Sequence, residues 1–216
     1  MITVYIMRHG ETDWNKEMRL QGKSNVPLNA FGRYLAEKTR DGMRDIPFDA
    51  VYTSPLKRAL ETAEIVSRGE IPVIVDERLS EFGFGTYEGK SVSKGPGGIQ
   101  DENFWNFFRA PERYKAQNGA EEIEAGVERY RAFFDALLKN PENDGKTFLI
   151  STHGAAMGAM VNRIFKGRDL AHIWHKAVPK NCGVYAFRYA CGKAEFFLED
   201  AVYYTETVRP WKSLDE

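Results

Sequence analysis

Short apolar segments of strand length alternate with amphipathic segments of helical period along most of this chain. Short apolar runs predict four strands, at Met1–Met7, Asp49–Thr53, Ile71–Val75 and Lys146–Thr152, of which the first and the last are expected to be buried. Apolar residues at helical spacing predict helices at Phe31–Met43, Glu121–Asn140 and Ala155–Phe165. A further helix is predicted to begin with Ser54 as its N-cap and Pro55 as its first residue, and to continue through Val66. This alternation favours an α/β fold, in which helices cover both faces of a mostly parallel sheet.

Two parts of the chain depart from the alternation. Val184–Tyr189 and Ala194–Leu198 are separated by a short turn, and we expect them to form a hairpin. From Gly83 to Gly119 the chain is rich in glycine and then in aromatic residues, which predicts an insertion with one short helix ending before Pro111. Its aromatic cluster is interpreted as packing within the insertion, with contact to a ligand as the alternative. The cluster comprises Phe104, Trp105, Phe107 and Phe108.

The composition argues against several classes of function. With 30 basic and 31 acidic residues the net charge is −1, which gives no indication of nucleic-acid or membrane binding. No apolar run approaches the ~18 residues of a membrane span, and the first residues lack the basic region and cleavage site of a signal peptide. The two cysteines fit neither a disulfide framework nor a metal site. We therefore expect a single cytoplasmic domain of 216 residues.

Charged residues follow three of the predicted strands, at the carboxyl ends where open α/β sheets bind ligands. A histidine alone in such a position is more often structural than functional. Here, however, two of the four histidines of the chain share this context, and arginines accompany them. The residues concerned are Arg8, His9 and Gly10, then Arg58, and finally His153 and Gly154. The other two histidines, His172 and His175, are interpreted as solvated or core-edge residues.

Two histidines and two arginines at one edge of a sheet suit the transfer of a phosphoryl group to histidine. Guanidinium groups bind phosphate through paired hydrogen bonds, and their charge lowers the pKa of a nearby histidine, which keeps the imidazole neutral and nucleophilic. The helix that opens after His153 offers further N–H donors to an anion. A metal site is the competing interpretation. It is disfavoured, because arginines repel cations and the usual spacing of metal ligands is absent from the sequence.

Transfer of a phosphoryl group also needs an acid that protonates the leaving group. Glu81 follows the third predicted strand, and the flanking Phe82 and Phe84 would shield it and raise its pKa. On spacing alone, three other carboxylates of this region remain alternatives: Asp76, Glu77 and Glu88.

Motifs that cover most of the chain occur in a fixed order. They are Met7-Arg8-His9-Gly10-Glu11-Thr12, Trp14-Asn15, Leu20-Gln21-Gly22, Pro27-Leu28-Asn29, Thr53-Ser54-Pro55-Leu56-Lys57-Arg58-Ala59, Leu79-Ser80-Glu81 and Ser151-Thr152-His153-Gly154. Together they resemble the histidine phosphatase superfamily, which includes cofactor-dependent phosphoglycerate mutases and many small phosphatases. The resemblance implies a doubly wound, three-layer α/β sandwich, with a cap formed largely by Glu88–Ala120 and no requirement for a metal or an organic cofactor.

The resemblance also implies a role for each matching residue. His9 would carry the phosphoryl group transiently, and Glu81 would protonate the leaving group and then act as the base toward water. Gln21 and Gly22 would line the substrate side. The phosphoryl oxygens would be held by Arg8, Asn15, Arg58, His153 and the backbone of Gly154.

Two stretches depart from the pattern of the mutases. The sequence Glu81–Gly89 resembles the phosphatase branch and lacks the longer Arg-His-Tyr-Gly type stretch of the mutases. Glu121 occupies the position of the glutamate in the Gly-Glu-Ser of many members, but Glu122 replaces the serine. Glu121 therefore either contacts the substrate or stabilises a helix N-terminus. We expect a phosphatase acting on a small phosphorylated metabolite, with a phosphoglycerate mutase and a non-catalytic phospholigand-binding module as alternatives.

Overall fold

A mixed sheet of six strands forms the centre of the protein, in a computed structural model that describes residues 1–93, 97–174 and 178–207. The strands are β1 (Ile2–Arg8), β2 (Ala50–Thr53), β3 (Val73–Val75), β4 (Thr147–Thr152), β5 (Val184–Ala190) and β6 (Lys193–Ala201). They lie in the order β3-β2-β4-β1-β5-β6. The strands β1 to β4 are parallel, and β5 and β6 form an antiparallel hairpin at one edge. The mostly parallel sheet and the hairpin predicted from the sequence are both confirmed.

The longer helices cover both faces of the sheet. The helices are α1 (Asp13–Lys16), α2 (Ala30–Gly42), α3 (Lys57–Ser67), α4 (Glu102–Arg109), α5 (Ile123–Leu138) and α6 (Gly154–Gly158), and α6 continues as a π-helical segment over Ala159–Phe165. Single 3-10 turns lie at Glu77–Leu79, Gly85–Tyr87, Pro111–Arg113, Pro141–Asn143 and Leu170–His172. Within the described parts of the chain, no helix is long and apolar enough to cross a bilayer.

Alternation along β1 divides the core between the two faces. Successive residues of a strand point to opposite faces of the sheet. Val4 and Ile6 accordingly pack in one cluster with residues of α5 and α6. Tyr5 and Met7 pack in a second cluster with residues of α3, against which α2 also packs. The fold is therefore the three-layer α/β arrangement that the sequence predicts.

The prediction that Ser54 caps the helix after β2 is wrong. Helix α3 begins at Lys57, and its N-cap Leu56 makes no hydrogen bond with its side chain. The Ser54 hydroxyl lies instead 2.8 Å from Nε2 of His153, a residue distant in sequence. The same hydroxyl also accepts from the N–H of Leu56, the residue before the helix, over 3.3 Å.

Two other elements are shorter or less regular than the sequence predicts. The edge strand β3 is limited to Val73–Val75, because Pro72 has no N–H group to donate to a strand ladder. The helix predicted over Ala155–Phe165 has α geometry only as far as Gly158 and π geometry beyond it. Apolar spacing does not distinguish the two geometries.

The aromatic residues of the insertion pack into the main core. Helix α4 ends at Arg109, before Pro111, as predicted. The Phe107 ring is fully buried, stacks on Trp174 at 5.1 Å and lies edge-on to Phe82 at 5.3 Å. The interpretation of these residues as core packing therefore holds for Phe107.

Gly126 lets helix α5 pack directly on Phe82. A Cβ atom at Gly126 would lie 2.1 Å from Cε1 of Phe82, whose ring is buried between other aromatic rings. We expect Gly126→Ala to lower the free energy of unfolding by about 1–3 kcal/mol, although alanine favours the helix more than glycine does. Urea denaturation measures this change. The exposed neighbour Ala125 provides the control, since Ala125→Ser should change stability by less than about 0.5 kcal/mol; equal losses at both positions would refute the clash.

Candidate active site

Strands β1 and β4 bring two histidines together at the carboxyl edge of the sheet. The strands pair in parallel with Arg8 opposite Thr152, and the His9 N–H donates to the Thr152 carbonyl over 2.9 Å. Each strand is followed by a histidine, so the ring centroids of His9 and His153 lie 5.3 Å apart. Both side chains are buried, with 2% and 0% of their surface exposed.

A backbone hydrogen bond fixes the tautomer of His9. Its Nδ1 lies 2.6 Å from the Gly10 carbonyl oxygen, which can only accept, so Nδ1 carries the proton. In the neutral ring the lone pair is therefore on Nε2. The backbone of this turn is itself held, because the Gly10 N–H donates to Thr62 Oγ1 over 3.0 Å and Asn181 Nδ2 donates to the His9 carbonyl over 3.1 Å.

Two buried arginines, Arg8 and Arg58, are held by carbonyl oxygens. Arg8 Nη1 donates to the Pro179 carbonyl over 2.6 Å. Arg58 donates through Nη1 and Nη2 to the carbonyls of Ser24 and Gly22, both over 2.7 Å. A carbonyl accepts a hydrogen bond without neutralising the charge, so both guanidinium groups remain cationic toward an anionic ligand. In both arginines Nε is buried and has no hydrogen-bond partner among the described residues.

Burial and the two arginines keep both imidazoles neutral. Burial, and then the charges of Arg58 and Arg8, hold the pKa of His9 well below its usual 6.5. Burial is also the largest cause for His153, whose pKa is likewise far below 6.5, followed by the charges of Arg58 and His9. Burial lowers the pKa of Arg58 to about 10, which leaves its guanidinium charged at neutral pH. The site thus combines a neutral nucleophile with fixed cations.

Ser54 sets the hydrogen-bonding state of His153. Its Oγ accepts from the Leu56 N–H over 3.3 Å and lies 2.8 Å from His153 Nε2, and we assign the hydroxyl proton to the bond with Nε2. Nε2 is then an acceptor, and Nδ1 carries the proton of the neutral ring. This Nδ1 is buried and unpartnered within the part of the chain that the structure describes.

The Glu81 carboxylate lies at the amino end of α6. It accepts from the N–H groups of Phe82 over 3.0 Å, Ala155 over 3.1 Å and Ala156 over 2.9 Å. Burial raises the pKa of Glu81 above its usual 4.5, against the lowering effects of these hydrogen bonds and of Arg58. A buried carboxyl with a raised pKa has the properties of a proton donor near neutral pH.

The alternative acids are engaged elsewhere. Asp76 is bound by the guanidinium of Arg78, with Nη2 at 2.6 Å from Oδ2. Glu77 is exposed on the surface. Glu88 accepts from the backbone N–H groups of two loops that flank the site. Of the four carboxylates, Glu81 alone lines the cleft described below.

Glu121 supports the segment that carries Glu81. Its carboxylate forms an ion pair with Arg129 at 3.0 Å and accepts from the Gly83 N–H over 3.1 Å. Arg129 also donates to the carbonyl of Ser80, directly before Glu81, over 2.8 Å. Glu121 is not among the residues that form the wall of the cleft. The geometry thus gives it a position behind the acid rather than against a substrate.

The side chains described above surround a cleft of about 440 Å³. Eight of the nine predicted site residues line it: Arg8, His9, Asn15, Gln21, Gly22, Arg58, Glu81 and Gly154. The ninth, His153, is fully buried beside His9 and is not part of the wall. The remaining wall is apolar: Leu20, Phe84, Phe108, Ala155 and Val178. Phe84 was expected beside Glu81, and Phe108 follows the alternative of ligand contact and not the interpretation as packing alone; the sequence analysis assigned no such position to the other three.

Thr12 organises two of the predicted residues and was also missed. Its hydroxyl lies 3.0 Å from Oε1 of Gln21 and 3.1 Å from Oδ1 of Asn15. It also accepts from the Asn15 N–H, which makes Thr12 the N-cap of α1. Because the amide oxygens face Thr12, the NH₂ groups of both side chains are turned away from it. A capping signal, Thr-x-x-Asn, was present in the sequence.

His172 is not part of the cleft wall. His172 is exposed, and its Nδ1 lies 2.5 Å from Oδ1 of Asp169, in agreement with the structural interpretation. His175 lies outside the described residues. Over residues 1–93, 97–174 and 178–207, no group of three or more His, Cys, Asp and Glu side chains is arranged to hold a metal ion.

A comparison with protein families identifies the chain. The family model described as the histidine phosphatase superfamily (branch 1) matches residues 4–198. This protein belongs to the histidine phosphatase superfamily. The matched range includes every residue of the cleft wall, so the family assignment applies to the site as well as to the sheet. The resemblance recognised from the sequence motifs is confirmed.

The relatives of this chain carry two kinds of name, phosphatase and phosphoglycerate mutase. The uncharacterized phosphatase PhoE of Bacillus subtilis (strain 168) is 33% identical over 169 residues, which cover 77% of this chain and 79% of PhoE. The probable phosphoglycerate mutase GpmB of Enterobacter sp. (strain 638) is 33% identical over 167 residues, which cover 76% and 75% of the two chains.

Solved structures agree with the fold. Bacillus stearothermophilus YhfR aligns with a TM-score of 0.83 and 33% identity, over 94% of this chain and 98% of that one. A mutant phosphoserine phosphatase from Entamoeba histolytica, in complex with phosphoserine, aligns with a TM-score of 0.78 and 26% identity, over 91% and 95%. This protein therefore shares its α/β fold with these structures.

Replacement of Ser54 by alanine should allow His153 to adopt both of its neutral tautomers. The buried Nε2 would lose its donor, which we expect to lower the free energy of unfolding by about 1–3 kcal/mol. Nitrogen NMR of the histidine rings should show the Nδ1–H tautomer in the wild type and a mixture of tautomers in Ser54→Ala. The exposed His172 is an internal control, since its signals should not change. An unchanged His153 tautomer in the variant would contradict the role of Ser54.

Proposed function

We propose that this protein hydrolyses a small phosphomonoester through a phosphohistidine intermediate at His9. The observation that carries the proposal is a set of buried N–H groups without a partner among the described residues: Nε of Arg8, Nε of Arg58 and Nδ1 of His153. Buried polar hydrogens are almost always paired in folded proteins, so several unpaired ones around one nucleophile indicate an anionic ligand. A phosphoryl group has three equatorial oxygens, which provides one acceptor for each donor.

In the first half of the reaction, His9 Nε2 attacks phosphorus. Its lone pair forms the P–N bond as the bond between phosphorus and the ester oxygen breaks. The ester oxygen takes a proton from Glu81, so the leaving group departs as a neutral alcohol. Arg8 and Arg58 stabilise the charge on the equatorial oxygens, and they do so with preorganised geometry because carbonyls already hold their Nη atoms.

In the second half, water replaces the alcohol. The Glu81 carboxylate, now ionised, takes a proton from water while the water oxygen attacks phosphorus. The P–N bond breaks, its electron pair returns to Nε2, and inorganic phosphate leaves. The site returns to its starting protonation state, so no co-reactant other than water is consumed. Because the arginines supply the positive charge, the proposed reaction requires no metal ion and no organic cofactor.

The names of the relatives support this assignment. PhoE is described as a phosphatase, and the Entamoeba histolytica enzyme as a phosphoserine phosphatase. We therefore propose a small phosphorylated metabolite as the substrate.

A phosphoglycerate mutase activity is the second candidate. It is favoured by the 33% identity to a relative named as a probable mutase. Both activities share the first half-reaction and differ in the acceptor of the phosphoryl group, which is water in one and a second phosphoglycerate hydroxyl in the other. An assay of 3-phosphoglycerate distinguishes them, since a mutase forms 2-phosphoglycerate with little release of inorganic phosphate.

Replacement of His9 by alanine should abolish turnover, because the reaction has no other nucleophile. We expect the release of phosphate from an aryl phosphate, measured in excess EDTA, to fall by at least about a thousandfold. His172→Ala is the matched control and should retain the wild-type rate, since His172 is exposed and remote from the cleft. Loss of wild-type turnover in EDTA would refute the metal-independent mechanism.

Replacement of Glu81 by glutamine should slow substrates with poor leaving groups most. We expect about 10²- to 10⁴-fold loss for an alkyl phosphate and a small loss for a nitrophenyl phosphate, because only the former needs a proton on its leaving oxygen. The proposed acid must be protonated, and burial raises its pKa above 4.5. The wild-type kcat for an alkyl phosphate should therefore fall as the pH rises through that pKa.

The pH profile of Glu81→Gln provides the control for this role. Glutamine does not titrate over this range, so the decline of kcat at rising pH should disappear in the variant. Equal slowing of all substrates, or a pH limb that persists in the variant, would assign the proton transfer to another group.

A further inference from the structure

A second cavity of about 530 Å³ adjoins the cleft that contains His9. The two spaces share part of their walls: Phe108, Gly154, Ala155 and Val178 line both. The mechanism proposed above does not use this space.

The wall of the second cavity is largely apolar. Beyond the shared residues it comprises Met157, Gly158, Val161, Asn162, Lys166, Trp174, Pro179 and Tyr185. Two of its polar side chains are engaged: Asn162 Nδ2 donates to the Ile173 carbonyl over 2.9 Å, and Lys166 Nζ forms an ion pair with Glu199 at 2.7 Å. Lys166 is the one cation among the wall residues that the structure describes. The cavity therefore lacks a free positive charge on that wall.

From this arrangement we infer that the second cavity binds the leaving group of the substrate, and that this group is apolar and uncharged. The inference rests on the proposed phosphatase reaction and names its substrate class as phosphomonoesters of alkyl or aryl alcohols. A carboxylate or a second phosphate in this space would be desolvated without a free cation to pair with among the described wall residues, which is unfavourable.

The position of the proposed acid connects the two spaces. Glu81 Oε2 accepts from the Ala155 N–H over 3.1 Å, and Ala155 belongs to both walls. The ester oxygen that Glu81 protonates must therefore lie at the junction between the cleft and the cavity. With phosphorus against His9, the carbon chain on that oxygen extends past Ala155 into the apolar space. Phe108 and Trp174, with centroids 6.3 Å apart, then flank it.

A series of n-alkyl phosphates from ethyl to octyl tests the inference. Its members differ in apolar length while their leaving-group pKa stays nearly constant, so kcat/KM reports contact with the cavity. Burial of each added methylene should raise kcat/KM about fourfold until the cavity is filled. Glycerol phosphate and 3-phosphoglycerate, which carry polar or charged leaving groups, should be poorer substrates than hexyl phosphate.

Variants of the cavity wall test whether the preference for longer alkyl chains arises in the second cavity. Val161 lines the second cavity and not the cleft, so Val161→Phe should fill part of it and lower the ratio of kcat/KM for hexyl over ethyl phosphate by roughly tenfold. Trp174→Ala removes one wall and should also lower the ratio, which provides a second test if Val161→Phe does not fold. Val73→Phe, the same substitution on edge strand β3, is the matched control and should leave the ratio unchanged.

The outcomes separate this inference from the proposed function. Two results would show that the second cavity does not bind an apolar leaving group while leaving the phosphatase reaction intact. One is turnover of ethyl phosphate with no rise in kcat/KM along the series, and the other is a preference for 3-phosphoglycerate over hexyl phosphate. If no monoester is hydrolysed, the proposed function fails. In that case the binding of alkylphosphonates, whose P–C bond is not hydrolysed, tests whether the cavity takes an apolar group. Tighter binding of hexylphosphonate than of ethylphosphonate supports this inference, and equal binding overturns it.

Discussion

The parallel pairing of β1 with β4 is the constraint on which the site depends. The two strands run in register from Thr3 opposite Thr147 to Arg8 opposite Thr152, so they end at the same level. The next residue of each chain segment is a histidine, and α6 begins directly after the second one. One pairing therefore sets the distance between the rings and also directs the free N–H groups of α6 toward Glu81. A shift of register by one residue would separate all of these groups.

Binding of an anion requires cations that stay charged while buried. In this fold, backbone carbonyls hold the two arginines without neutralising their charge. A carboxylate partner would stabilise Arg58 more strongly but would neutralise it. The carbonyls that hold Arg58 belong to the loop of Gly22 and Ser24, which is itself fastened by Glu88, since Oε2 of Glu88 accepts from Ser24 Oγ over 2.7 Å. A glutamate of the insertion thus positions an arginine of the site through an intervening loop. The stability lost by burying a charge in this way is offset by the surrounding core.

The sequence predicts the parts of the site that local patterns determine. Arg8, His9 and His153 follow buried strands directly, so strand prediction alone places them at one edge. The role of Ser54 was not predictable, because its hydrogen bond with His153 spans 99 residues, whereas a capping pattern concerns only neighbouring residues. Most of the apolar wall was not assigned to the site for a similar reason. Phe108 and Val178 come from distant segments with no shared periodicity, and only tertiary packing brings them together.

The residue after the acid Glu81 packs against aromatic rings that belong to, or are adjacent to, the apolar wall. Glu81 is followed by Phe82, whose buried ring packs edge-on against Phe107 and Trp174. Phe108, the next residue after Phe107, lines both spaces, and Trp174 lines the second cavity. A leaving group that packs against these rings therefore contacts the same cluster that holds the backbone of the acid in place. Contacts with a remote part of a substrate can serve catalysis when they align the reacting atoms. Here they would align the ester oxygen with the Glu81 carboxyl, so the substrate that fills the cavity best is also the one protonated most efficiently.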